Sequence, residues 1–400
     1  MALSWGYAHS APPRRPEHVI LLICAKVSGI RGSSQNLRFL QHHSAVPAMR
    51  YTVPIKASPE NHVMGCNLEP YVMQKVHQDL RNEPISLILV TGAIRRHPPA
   101  TVAVFEQDRL LDFRRPTTSP IDSTALQLNC FPNQNLVLHY ASLIATYLEL
   151  CGRDPGIVQL SLPEPAETAR FMLESNLQSI GHIDVAIIGD VQYLKDLSKG
   201  QWQGNGRSEH DIFRWNKFQS RKGKTVALVG CLEKIWGDAG YHLVRTLQAH
   251  SNIECVIYIG KAGCLRRGYA PNEWIATGDQ AFVENESITW RSPLETVLKS
   301  STRVAQGSIV TVPTTLCETH EWLGEWSLKA LSVDCEVGYI AKAAAELDIA
   351  FGFLNIVSDN LYQTGGEDLS NEESHTVISK RERLYKEITK IINSFLSSDN

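Results

Sequence analysis

The chain has 400 residues, 43% hydrophobic and 20% charged, with a formal net charge of −3. That balance suits one or two soluble globular domains and leaves no electrostatic footprint for nucleic acid as a partner. No apolar run has the length of a membrane span, and nine scattered cysteines without a C-x-x-C pair read as reduced thiols rather than a disulfide framework or a zinc site.

The first sixty residues are rich in Arg, Lys, Pro, Ser and His and poor in acids and in periodicity, so residues 1–80 are read as a disordered or targeting-like arm. A start at Met49 or Met64 is the other reading of the same composition. From Ile85 the pattern becomes α/β. Ile85–Val90 and Thr101–Phe105 read as strands, Leu136–Leu150 as an amphipathic helix and Ile157–Leu160 as a strand. Pro163–Ile180 reads as a helix opened by Pro and acids and closed by Gly181. Residues 81–180 are thus an accessory α/β region, and the pattern leaves open whether they share a sheet with the C-terminal half.

The core is placed at residues 181–400. Asp184–Asp190 reads as a strand and a turn, Gly200–Gly206 as a loop, Thr225–Gly230 as a strand and Gly240–His250 as a helix. Val256–Leu265 is a strand that runs into a glycine turn, and Gly307–Val312 is a further strand. Leu331–Glu336 leads into a helix of small residues, Val337–Leu347, then a nearly all-apolar strand, Ala350–Val357, and a charged helix over Ser379–Phe395. Strand–helix alternation predicts a central mixed, mostly parallel sheet flanked by helices on both faces.

In an open parallel sheet, ligands sit at the carboxyl ends of the strands. Glu336 and Asp359 stand at two such ends. On spacing alone, each serves equally well as a helix or turn cap. Gly260-Lys261-Ala262-Gly263 follows an apolar strand, where it is either a plain tight turn or a place for backbone N–H groups to approach a ligand.

Four pieces in order carry a resemblance. Val333-Asp334-Cys335-Glu336 with Ser358-Asp359 resembles the Val-Asp-Met-Glu and Ser-Asp of the nucleoside phosphorylase and nucleosidase superfamily. Gly260–Leu265 resembles its glycine loop, Ala276–Asp279 its Gly-Asp, and Gly307–Val312 its Gly-Thr-Ile-Val strand. The resemblance covers roughly half the chain. It implies cleavage of the N-glycosidic bond of a purine or related nucleoside, with Asp359 protonating the departing base and Glu336 binding the ribose. It also implies that Cys335 packs against the sugar and that Ser358 and the Gly260–Gly263 loop line the pocket.

The chain departs from the superfamily at the nucleophile. Lys261 stands where phosphorylases have Ser or Thr, and Cys264 replaces a glycine. After Gly189-Asp190, Tyr193 replaces an arginine, while Gln192 and Leu194 fall where nucleosidases have a glutamate. Hydrolysis is therefore the expected reaction, with no cofactor. The alternatives are phosphorolysis with inorganic phosphate as co-substrate and a catalytically weak nucleoside-binding sensor or scaffold. Arg207, Arg214, Arg266 and Arg267 are candidate phosphate contacts or plain surface arginines. Trp236 is set to stack on a ligand or to pack, and Glu318, with His320 and Trp322, falls in the region beside the base. The resemblance further implies a homo-oligomer. A cytoplasmic location is expected, with organellar import through the arm as the alternative.

Overall fold

The structure, a computed structural model, describes residues 50–81, 84–93, 110–112, 114–204, 208–299, 301–363 and 366–398. Two sheets form. The smaller has the order β1-β5-β2-β4-β3, from β1 (Tyr51–Thr52), β2 (Leu87–Gly92), β3 (Thr117–Pro120), β4 (Ala125–Cys130) and β5 (Val158–Ser161). Its centre, β5-β2-β4, is parallel, and both edge strands are antiparallel. The region before the core therefore has a sheet of its own. The expected strand Thr101–Phe105 lies outside the described residues.

The larger sheet holds eleven strands. They are β6 (Val185–Gly189), β7 (Phe213–Gln219), β8 (Thr225–Cys231), β9 (Cys255–Cys264), β10 (Ile275–Thr277), β11 (Gln280–Val283), β12 (Glu286–Thr289), β13 (Val304–Gln306), β14 (Ile309–Thr311), β15 (Ser332–Asp334) and β16 (Ala350–Asn360). The β6/β8, β6/β9, β9/β16, β10/β13, β11/β14 and β14/β15 pairs are parallel. The β7/β8, β9/β15, β10/β16 and β11/β12 pairs are antiparallel. This is the expected mixed, mostly parallel sheet. β16 is nearly all apolar up to Val357 because it lies between β9 and β10 and is buried along nearly its whole length.

The helices are α1 (Leu68–Lys75), α2 (Gln134–Leu150), α3 (Pro165–Leu173), α4 (Ala239–Ser251), α5 (Glu295–Leu298), α6 (His320–Trp326), α7 (Val337–Glu346) and α8 (His375–Ser397). Leu384, Ile388, Ile391 and Ile392 of α8 pack on the sheet face that carries Ile257, Ile259, Leu354 and Ile356. Helices α4 and α7 pack together on the opposite face, to which Tyr258 turns, because successive strand residues alternate sides. No helix among the described residues is long and apolar enough to cross a membrane.

Two expectations need correction. Helix α3 stops at Leu173, and a separate 3-10 turn follows at Asn176–Ser179. The Asn176 amide both donates to Phe213 O (2.8 Å) and accepts from Phe213 N (3.1 Å), which ties the chain to β7 in place of a continued helix. The reading of residues 1–80 as an arm also fails over 50–81. There β1 pairs with β5, and Leu68, Tyr71 and Val72 of α1 are buried. The helix is too short for its periodicity to stand out in the sequence; tertiary packing stabilises it. Residues 1–49 lie outside the described residues.

The two parts of the molecule meet at α2. Asp238, just ahead of α4, accepts from the backbone N–H groups of Gln134 (3.2 Å) and Asn135 (3.1 Å) and from the Asn133 amide (3.0 Å). A carboxylate from the core thus satisfies the orphan donors at the N-terminus of α2.

Candidate active site

Strand β9 changes neighbour along one edge. Cys255–Ile259 pair with β6, whereas Gly263 and Cys264 pair with β15. Between them, Gly260, Lys261 and Ala262 have no strand partner on that edge, while β16 holds all three on the other. The sheet is split there, and a split with free peptide groups at strand carboxyl ends is where a ligand fits. Gly189, with φ of +99°, turns the chain away at the end of β6 against Ile259 O.

Glu336 stands at the start of α7 and is 7% exposed. The Tyr258 hydroxyl donates to its Oε2 at 3.3 Å. A Cβ on residue 260 would sit 2.6 Å from that hydroxyl, so glycine there leaves room for the tyrosine. Asp334 accepts from Thr311 Oγ1 (2.7 Å) and from Val337 N (2.9 Å), which caps α7 and fixes the backbone on which Glu336 sits. Burial pushes both carboxyls above the usual range, at Asp334 against the hydrogen bonds from Thr311 and Val337 and at Glu336 with added repulsion from Asp334.

Asp359 arrives by a β-bulge. Val357 pairs with Ala262 and Asp359 with Gly263, so Ser358 is the extra residue. The Ser358 hydroxyl lies 2.6 Å from Asp359 Oδ1, to which it donates, and 3.3 Å from Ala262 O. Burial raises the Asp359 carboxyl to about 6, against the opposing effect of the Ser358 hydrogen bond. Glu318 is 4% exposed, and its carboxylate has no hydrogen-bond partner among the described residues. Burial, then Asp359, holds it well above the usual range. Cys335 is a buried thiol under the influence of Glu336, Asp334 and Glu318.

The two acids, Glu318, Cys335, Ser358 and the Gly260–Gly263 stretch are therefore brought to one place. Two candidate side chains, one of them on that stretch, are held by other protein groups. Lys261 bonds Glu372 at 2.6 Å, and Arg381 bonds the same oxygen at 2.9 Å. Burial opposes ionisation of Glu372, but Lys261 and Arg381 outweigh it and hold the carboxyl well below its usual range. Trp236 is buried. Its indole N–H donates to Pro313 O (2.9 Å), and its ring stacks on His139 at 4.2 Å, so it packs.

Of the arginines, Arg266 donates to Ala330 O, Arg214 to Leu110 O, and Arg267 lies over Tyr362. Arg207 lies outside the described residues. Tyr193 stacks on Tyr385, whose hydroxyl donates to Asp190.

Tyr258, Glu372 and Arg381 escape a motif reading, and the motif that contains Asp334 gives it no role. Tyr258 had a signal, since it shares a strand face with Gly260. Glu372 had none, because it lies in a polar loop without periodicity.

The segment ahead of α1 and the helix itself reach this site. His62 Nε2 lies 2.9 Å from Thr315 O, and Val63 N donates to Glu318 O at 3.0 Å. Asn67 donates to Asp368 (2.7 Å) and Gln74 to Ser370 O (2.7 Å). Residues 62–74 thus clamp the loop of Glu318 and the loop of Glu372.

No protein-family model matches the chain, and no curated protein sequence does. Solved structures are similar to it over about half its length. A 5'-methylthioadenosine/S-adenosylhomocysteine nucleosidase from Colwellia psychrerythraea in complex with adenine has a TM-score of 0.41 at 15% identity, covering 54% of this chain and 95% of that one. The 5'-methylthioadenosine nucleosidase of Arabidopsis thaliana has 0.44 at 13%, covering 55% and 98%. A futalosine hydrolase mutant from Helicobacter pylori has 0.41 at 12%, covering 54% and 98%.

Proposed function

We propose that the protein cleaves the N-glycosidic bond of a purine or related nucleoside and releases the free base. The observation that carries this reading is the placement of two buried carboxyls, Glu336 and Asp359, on either side of the split in β9. Cleavage builds positive charge on the sugar and negative charge on the base, and only groups that bind that charge more strongly in the transition state raise the rate.

Asp359, with its carboxyl raised to about 6 by burial, holds a proton to give to a ring nitrogen of the departing base. Glu336, steadied by Tyr258, accepts hydrogen bonds from the ribose hydroxyls and favours the cation-like sugar. Glu318 faces the same space and takes an N–H of the base. Water adds to the anomeric carbon, the bond to the base breaks, and the proton that water loses restores Asp359. Hydrolysis is preferred over phosphorolysis because Lys261, at the position of the phosphorylases' Ser or Thr, is held by Glu372. This reaction uses no cofactor. A homo-oligomer and a cytoplasmic location belong to the same reading.

The test is release of free base from a panel of purine nucleosides and their sugar-substituted derivatives, with and without inorganic phosphate. Base release that needs no phosphate is expected. If no member of the panel yields base in either condition, the reading fails, and binding without release would make the protein a nucleoside sensor.

A further inference from the structure

Lys75 and Lys234 take no part in the chemistry above. Lys75 ends α1, and Lys234 lies in the loop after β8; both are half-buried. No carboxylate among the described residues forms an ion pair with either. Their closest described partners are aromatic rings, Tyr71 at 5.7 Å from the Lys75 ammonium and Trp236 at 4.5 Å from that of Lys234.

The pair belongs to the site. Tyr71, the ring under Lys75, bonds Thr315 Oγ1 (3.3 Å), and Trp236, the ring under Lys234, donates to Pro313 O (2.9 Å), so both lysines stand against the segment 313–315 that leads to Glu318. Lys234 also acts on Glu336, and Lys75 on Glu372. Burial, then the nearby charge of Lys234, lowers the Lys75 ammonium to about 8. Two like charges drawn partly out of water with no carboxylate in ion-pair contact are costly, and a bound anion relieves that cost. The site's other buried cations, Lys261 and Arg381, already share the Glu372 carboxylate. Lys75 is also held in place, since α1 is anchored through Asn67, Tyr71 and Gln74 to the loops at 315 and 368–370.

We infer that Lys75 and Lys234 form an anion subsite beside Glu336 that receives a phosphate group, and that the substrate is a nucleoside monophosphate carrying this group on its sugar. The inference rests on the glycosidase reading above and narrows its substrate class. It gives the segment at 62–75 a role: the segment supplies the lysine that reads the phosphate. A phosphate dianion between two ammonium groups makes charge-assisted hydrogen bonds of the stronger kind.

The experiment compares matched pairs, each purine nucleoside against its 5'-monophosphate, in wild-type protein and in Lys75→Met, Lys75→Arg and Lys234→Met. Wild-type kcat/KM should favour the monophosphate by at least tenfold. Lys75→Met and Lys234→Met should each cut that preference by tenfold or more, and Lys75→Arg should retain most of it. Equal rates on both members of a pair would overturn the inference and leave base release standing. Saturable activation of nucleoside cleavage by inorganic phosphate, without preference for the monophosphate, would also overturn the substrate assignment and give the subsite to the nucleophile. If neither member releases base, titration calorimetry decides. Monophosphate binding that is lost in Lys75→Met supports the subsite while the catalytic reading falls. Absence of that binding overturns the subsite as well.

Discussion

Asp359 folds over Gly263: its Oδ2 lies 3.2 Å from the position a Cβ on that glycine would take. The same Cβ would come within 2.6 Å of Leu361 Cδ1. Gly263→Ala must therefore move both the acid and its neighbour. We expect a loss of roughly 1–3 kcal/mol in stability, the usual cost of overpacking, and a fall in base release larger than the stability change explains. Chemical denaturation and initial rates on one preparation check this.

Asp359→Asn keeps hydrogen-bonding capacity but has no acid proton. Turnover should fall by about 10²–10⁴-fold, with the loss mainly in kcat. Unchanged kcat would remove Asp359 from the mechanism.

Tyr258→Phe deletes the one hydroxyl that steadies Glu336. The bond is long, so kcat/KM should fall only about fivefold, the equivalent of ~1 kcal/mol. Glu336→Gln should be much worse, raising KM and lowering kcat together, because ribose contacts act in ground and transition states alike.

Stability should decline as pH rises from about 5 to 8. The Asp359 and Asp238 carboxyls are each raised to about 6 by burial, against the hydrogen bonds that favour their ionised forms. Their unfolded values lie near ~3.9, so the folded state binds more protons and loses stability as pH climbs through the folded values. Asp334 and Glu336 act in the same direction. Glu372, lowered, acts oppositely at more acid pH, and His62, His139 and His242, held low by burial, oppose the decline up to about pH 6.5, so the fall is clearest above that. Melting temperature against pH should show this decline, and Asp359→Asn should flatten it. A Tm that rises steadily to pH 8 would contradict the assignment.

Glu372→Gln leaves Lys261 and Arg381 without their shared carboxylate. The group is largely but not wholly buried, so the expected cost is about 1–3 kcal/mol, below the range for fully buried pairs. Thermal unfolding of this variant beside Lys261→Met tests whether the pair acts as a unit.

The core was legible because its signals are strong and local. β16 is a long apolar run, α7 is a helix of small residues, and Glu336 and Asp359 end motifs that keep their order. The segment at 50–81 was not legible. Its two-residue strand and short helix carry little periodicity, and they are held by contacts to Thr315, Glu318 and Asp368, more than 200 residues away. Lys261 was visible, but its partner Glu372 was not, because an ion pair across 111 positions leaves no mark on either neighbourhood. Trp236 could not be assigned from sequence, since stacking on a ligand and stacking on His139 ask for the same residue.

Peptide groups are alike whatever side chain they carry. A pocket floor built on the free edge of residues 260–262 can therefore exchange its side chains while presenting the same donors and acceptors, provided β16 keeps hold of the other edge. Lysine at 261 and cysteine at 264 are tolerable on those terms. What such a floor cannot absorb is bulk at 260, against the Tyr258 hydroxyl, or at 263, where the backbone passes under an acid. Sequence drift in a pocket of this build runs freely between those two positions and stops at each.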